Sequence, residues 1–219
     1  MKDLSIMQEY FLCAVNDKGK ISSFSTEKLV CMVASGLLEM QLENCVEIAD
    51  NRVRVTGALP AQREYLRSLY AYVDQPKPVK VEKILDAYNN SASGRRLFEL
   101  MDAVGASLEA AGLAEAGRAG LLGGRRAYVP KREAINGVID QIRAELLEAG
   151  EVTEDVAALV VLLDRSKSLK QYFSDFERKE LKARLKQIMN APTGKMIRDM
   201  VEYVEGMLTA TAVTLLLFH

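Results

Sequence analysis

Arginines beside apolar residues at a two-glycine turn are the side chains whose types and spacing best suit chemistry. Arg125 and Arg126 follow Leu121, Leu122, Gly123 and Gly124 directly. A guanidinium makes paired hydrogen bonds to phosphate, and apolar side chains at a loop tip suit insertion into a membrane or partner. A hairpin that packs one apolar face on a core would use the same residues, so both readings stand. Gly117, Gly120, Gly123 and Gly124 lack the lysine that completes a phosphate loop. Carboxylates such as Asp175, Glu177 and Glu180 alternate with Arg178, Lys179 and Lys182, which reads as solvated helix surface rather than an acid–base pair. The single histidine is the last residue, His219, which excludes histidine triads and histidine-rich metal sites. Cys13, Cys31 and Cys45 sit in apolar segments without CxxC spacing, so they read as reduced core residues, with no metal site and no cofactor implied.

The elements that must position these residues belong to a chain of 219 residues, 49% hydrophobic and 27% charged, with a net charge of −1. That balance fits a soluble globular domain and excludes a uniformly basic nucleic-acid binder. Charge is nevertheless uneven. Arg165 to Arg198 holds ten Lys or Arg against three Asp or Glu, which leaves −8 for the rest of a chain totalling −1. Such a basic run is either solvated helix surface or a face for an anionic partner. Met1-Lys2-Asp3-Leu4 does not open a secretory signal, and the expected location is cytoplasmic. Met207 to Phe218, 12 residues of which three are threonines, is short of the roughly 20 apolar residues that span a bilayer. It reads as a buried element closing the core.

Ser5 and Gln8 have capping-box spacing ahead of a helix over Ile6 to Val15, ended by the turn residues Asn16 to Gly19. Ser25-Thr26-Glu27 caps a second helix. From Cys45 the apolar period becomes two, predicting a hairpin that turns at Asp50-Asn51 and runs through Val53 and Val55. Helices follow over Ala61 to Val73 and Val79 to Tyr88, separated by the linker Gln75-Pro76-Lys77-Pro78. After a loop at 89–94, a helix over Arg95 to Ala111 leads to a second hairpin over Leu121 to Val129, with Gly123-Gly124 at its turn. The rest is helical: Arg132 to Ala149, Thr153 to Ser166, Gln171 to Met189, and Met196 to the end.

This order resembles the Golgi phosphoprotein three family. Leu4 to Phe24 (LSIMQEYFLCAVNDKGKISSF) is similar to the family's opening helix, turn and aromatic end; Ser35 to Leu42 (SGLLEMQL) is similar to the helix that runs into a strand. Gln75 to Pro78 resembles its proline linker, Leu108 to Leu113 (LEAAGL) its lead into the second hairpin, and Val156 to Leu163 with the closing apolar helix completes the likeness. The resemblance implies a peripheral membrane protein. Eukaryotic relatives bind phosphatidylinositol 4-phosphate through an aromatic and several arginines, insert the second hairpin, and carry cytoplasmic tails of Golgi enzymes. Carried over by position, the lipid-contacting tryptophan falls on Phe24. The arginine of the next helix falls on Val33, and two later arginines fall on Phe98 and Met101, with Arg95 and Arg96 about one turn upstream. The acidic, arginine-rich tail of eukaryotic members has no counterpart, and the chain looks like a bacterial member.

The expectation is therefore a mainly α protein: one compact helical domain over residues 1–219, with two or more β-hairpins and its apolar C-terminal helix buried in the core. The expected function is non-enzymatic binding of an anionic lipid, with phosphatidylinositol 4-phosphate the headgroup the resemblance suggests. Phe24, Arg95, Arg96, Arg125 and Arg126 are the expected lipid contacts. Leu121, Leu122, Gly123 and Gly124 form the expected inserting or oligomerising tip. A client protein and a second copy are further expected partners, on the inner face of a membrane. The competing reading is a winged-helix-like DNA-binding regulator, since helix followed by hairpin occurs twice; the near-neutral charge disfavours nucleic acid.

Overall fold

A computed structural model describes residues 4–89, 94–119, 125–148, 151–191 and 194–217. The Ser5 capping box forms as its spacing predicts: the hydroxyl accepts from Gln8 N–H, and the Gln8 side chain accepts from Ser5 N–H. It starts α1 (Ile6–Ala14), whose side chains are buried on nearly every face. Helix α2 (Thr26–Leu42) packs beside it, although the Ser25 hydroxyl makes no capping bond, contrary to the expected cap. The chain then drops into β1 (Val46–Ala49) and β2 (Arg52–Val55). Asp50 and Asn51 both take positive φ, as a two-residue hairpin turn requires.

The proline linker leads to a difference from the expected order. Val79–Lys80 is a third strand, β3, pairing Val53 with Val79 and Arg52 with Lys80, so the first hairpin is a three-stranded antiparallel sheet. Helix α4 (Val81–Asn89) begins only after it. Upstream, the expected helix over Ala61 to Val73 divides into a 3₁₀ segment (Ala61–Leu66), itself kinked at Arg63, and α3 (Arg67–Val73).

Helix α5 (Arg95–Ala110) precedes the second hairpin, which starts earlier than expected, as β4 (Ala114–Ala119) paired with β5 (Arg125–Pro130). Leu121, Leu122, Gly123 and Gly124 lie outside the described residues. Helix α6 (Arg132–Ile142) gives way to a π turn (Arg143–Leu147), an irregularity that its helical period did not signal. Thr153 caps α7 (Glu154–Arg165), the most completely buried helix after α1. Helix α8 (Asp175–Asn190) starts later than expected because Ser174 and Glu177 form a capping box there. Helix α9 (Lys195–Leu217) sends Ile197, Met200, Val204 and Met207 into the core, as expected of a closing helix. The side chains from Ala210 onward, most of the apolar tail, lie outside the described ones.

One apolar cluster runs through α1, α2, α4 to α7 and α9. Cys13, Cys31 and Cys45 are free thiols inside it. Burial pushes the Cys31 thiol up to about 12, the behaviour of an inert core cysteine.

Candidate functional site

Glycine decides how the second hairpin is seated. A Cβ at Gly105 of α5 would stand 2.1 Å from the Tyr128 ring, and one at Gly19 would stand 2.4 Å from the Tyr128 carbonyl oxygen. Gly19 also has φ +66°, closing the turn in which Asn16 Oδ1 accepts from the Lys18 and Lys20 amides. Tyr128 of β5 therefore fits between the α1–α2 loop and α5. Its hydroxyl donates to Asp102 Oδ1 at 3.1 Å. Arg126 is exposed, two residues back on the same strand face, and the neighbouring Tyr128 and Asp102 hold its guanidinium above the usual arginine range.

Of the expected contacts, Phe24 is 95% exposed, on the loop that Gly19 holds against the hairpin. Arg95 and Phe98 continue the face of α5 that carries Asp102 and Gly105. The Arg95 guanidinium is exposed and holds Glu99 at 2.7 Å. Arg96 points elsewhere: its guanidinium lies 5.2 Å from the Tyr72 ring centroid, a cation–π contact toward α3. The backbone of Arg125 lies in β5, with its side chain outside the described residues. Val33 is fully buried in α2.

No acidic residue occupies the first turn of α5, and Arg95 and Arg96 stand there instead. The positive end of the helix dipole and these cations reinforce one another, an arrangement that favours an anion. The basic run over Arg165 to Arg198 is more neutralised than its count suggests. Arg165 pairs with Glu205, Lys167 with Glu27, Arg178 with Asp175, Lys182 with Asp164 and Lys195 with Asp199.

Tyr128, Asp102 and Gly105 were not singled out by sequence reasoning, and Gly19 was read only as a turn residue. A glycine inside the amphipathic α5 is the available signal, since it costs helix stability unless something needs the space. The carboxylates also depart from expectation, because Glu9 and Glu39 are 5% and 3% exposed rather than on solvated faces. Glu39 accepts from the Tyr65 hydroxyl and from Met7 N–H at 3.1 Å, and it pairs with Arg63 at 3.1 Å. Burial nevertheless raises its pKa, with those partners opposing.

The architecture is that of a helical protein carrying small antiparallel sheets, with the exposed Phe24 on the loop whose Gly19 meets Tyr128 and the exposed Arg126 on the same strand as Tyr128. The profile of the Golgi phosphoprotein 3 (GPP34) family matches residues 6–204, nearly all of the chain, and the chain belongs to that family. A search of the curated proteins finds no match. No described helix is long and apolar enough to cross a membrane.

Proposed function

We propose that this protein is a non-enzymatic module that docks reversibly on an anionic membrane, its 219 residues acting as one domain. The observation that carries the reading is Phe24, exposed on a loop that Gly19 packs against the hairpin bearing Arg126. An aromatic side chain enters the interfacial region of a bilayer while guanidinium groups bind headgroup phosphate. Leu121 and Leu122, between the two strands in sequence, are the proposed wedge, with Arg95, Arg125 and Arg126 as phosphate donors. Family membership adds phosphatidylinositol 4-phosphate as a candidate headgroup, and a client protein or a second copy as candidate partners. A bacterial origin and a cytoplasmic location belong to the same proposal. DNA binding is disfavoured because ion pairs interrupt the basic run.

Co-sedimentation with vesicles of neutral or anionic composition tests the reading. The parent is expected to pellet with anionic vesicles, and Leu121→Asp/Leu122→Asp to remain in the supernatant. Phe24→Ala is expected to weaken binding several-fold without lowering thermal stability, because its side chain is not in the core. Equal pelleting of parent and double variant would remove the hairpin from the account.

A further inference from the structure

A groove of about 370 Å³ lies between the π turn and α8, and none of Phe24, Arg95 and Arg126 lines it. Local sequence shapes its walls. Ser174 and Glu177 cap α8, with Glu177 accepting from Ser174 N–H at 2.8 Å. Glu177 also holds Arg143 of the π turn at 3.0 Å, which pins turn and helix together. Along α8, Phe176, Glu180, Ala183 and Gln187 fall at successive turns of one face, and all four line the groove. Ala183 is the small residue that leaves that face hollow. From the π turn, the buried Leu146 and half-buried Leu147 complete an apolar lining.

Two opposite charges line the same groove without partners. Glu180 and Arg184 stand one turn apart, in the order that favours an ion pair, yet neither makes an ion pair or hydrogen bond among the described residues. The Arg184 Nε is shielded from solvent and has no acceptor there. A half-buried guanidinium beside a carboxylate that it does not reach leaves a positive and a negative pole on one apolar groove. The smaller cleft of about 200 Å³ between α7, α8 and α9 differs in this respect. Its Asp164 takes Lys182 at 2.8 Å and Arg165 at 3.4 Å, and Glu205 takes Arg165, so its charges are closed on one another.

We propose that the groove between the π turn and α8 binds a small zwitterion with an apolar body, of which an α-amino acid with a large apolar side chain is the simplest. The ammonium group meets Glu180, the carboxylate takes the donor fork of Arg184, and the apolar side chain lies against Leu147, Ala183 and Phe176. Side chains one turn apart have Cβ atoms about 5–6 Å from one another, a spacing that one α-amino acid bridges. Glu177 does not compete for the ammonium, because Ser174 and Arg143 already engage it. A ligand with a single charge satisfies one pole and is repelled by the other, so each pole is a specificity element.

Titration of the isotope-labelled full chain with L-phenylalanine, followed by amide chemical shifts, tests the site. Saturable shifts are expected at Leu147 and Ala183, with amides in the middle of α2 unmoved. Phenylacetate lacks the amine and phenethylamine lacks the carboxylate; each is expected to bind at least about tenfold more weakly. Arg184→Gln and Glu180→Gln should weaken phenylalanine by a similar factor. Ala183→Leu fills the groove from an exposed position and should abolish the shifts. All three variants should partition onto anionic vesicles as the parent does, so failure of the titration is distinguishable from failure of membrane docking. No saturable shift in the parent, equal affinity for phenylalanine and phenethylamine, or full binding by Arg184→Gln would overturn the proposal. So would saturation by monomeric short-chain phosphatidylcholine in place of phenylalanine, which would make the occupant a lipid.

Discussion

Glu39→Ala is expected to lower unfolding free energy by about 3–5 kcal/mol, and Glu39→Gln by much less. The carboxylate accepts from Met7 N–H at the start of α1, from the Tyr65 hydroxyl and from Arg63. Alanine would leave a half-buried guanidinium, a buried hydroxyl and a helix-end amide without that acceptor. Glutamine retains an oxygen for part of the set and removes a buried charge. The ranking matters because a buried ion pair is weak evidence for stability in itself, and the large cost comes from orphaning its partners. Urea denaturation with unchanged slope is the measurement; equal midpoints for parent and alanine variant would show the network to be dispensable.

Gly105→Val is expected to have the larger effect on docking. The alanine-equivalent Cβ already falls 2.1 Å from the Tyr128 ring, and valine adds two methyl groups in the same space. Tyr128 must leave its seat, taking β5 and Arg126 from the face of α5. Overpacking of this kind costs about 1–3 kcal/mol, which a cluster of this extent survives. Binding to anionic vesicles should fall at least tenfold while the helical circular dichroism is retained. Tyr128→Phe, which loses only the Asp102 hydrogen bond, should bind nearly as well as the parent. Full vesicle binding by Gly105→Val would mean that the seating of the hairpin does not matter for docking.

Local chemistry explains which elements were legible. The Ser5–Gln8 capping box and the Asp50-Asn51 turn depend on side chains within a few residues of one another, and each forms as read. Strand β3 is two residues long and offers no period to detect, so Val79–Lys80 looked like the first turn of α4. The π turn preserves helical spacing on its apolar side, which hid it within one long predicted helix. Glu9 could have been anticipated. In IMQEYFLCA apolar residues recur on every face, and a helix of that kind buries whatever charge it carries.

The candidate site was less legible because its geometry depends on partners far apart in sequence. The arginines share a residue type but not a setting, since Arg96 lies over Tyr72 while Arg95 holds Glu99. Only the fold separates them. Val33 is fully buried and Phe24 is exposed, a difference that the sequence alone does not reveal.

Partitioning of the unmodified protein between buffer and vesicles, measured against the fraction of anionic lipid and against salt, tests the central claim most directly. Docking through arginine and an apolar tip predicts little binding to neutral vesicles, binding that rises with anionic lipid, and weakening as salt is added. Added phosphatidylinositol 4-phosphate at matched total charge separates headgroup recognition from general attraction. Absence of partitioning on every composition, by a folded protein, would contradict membrane docking.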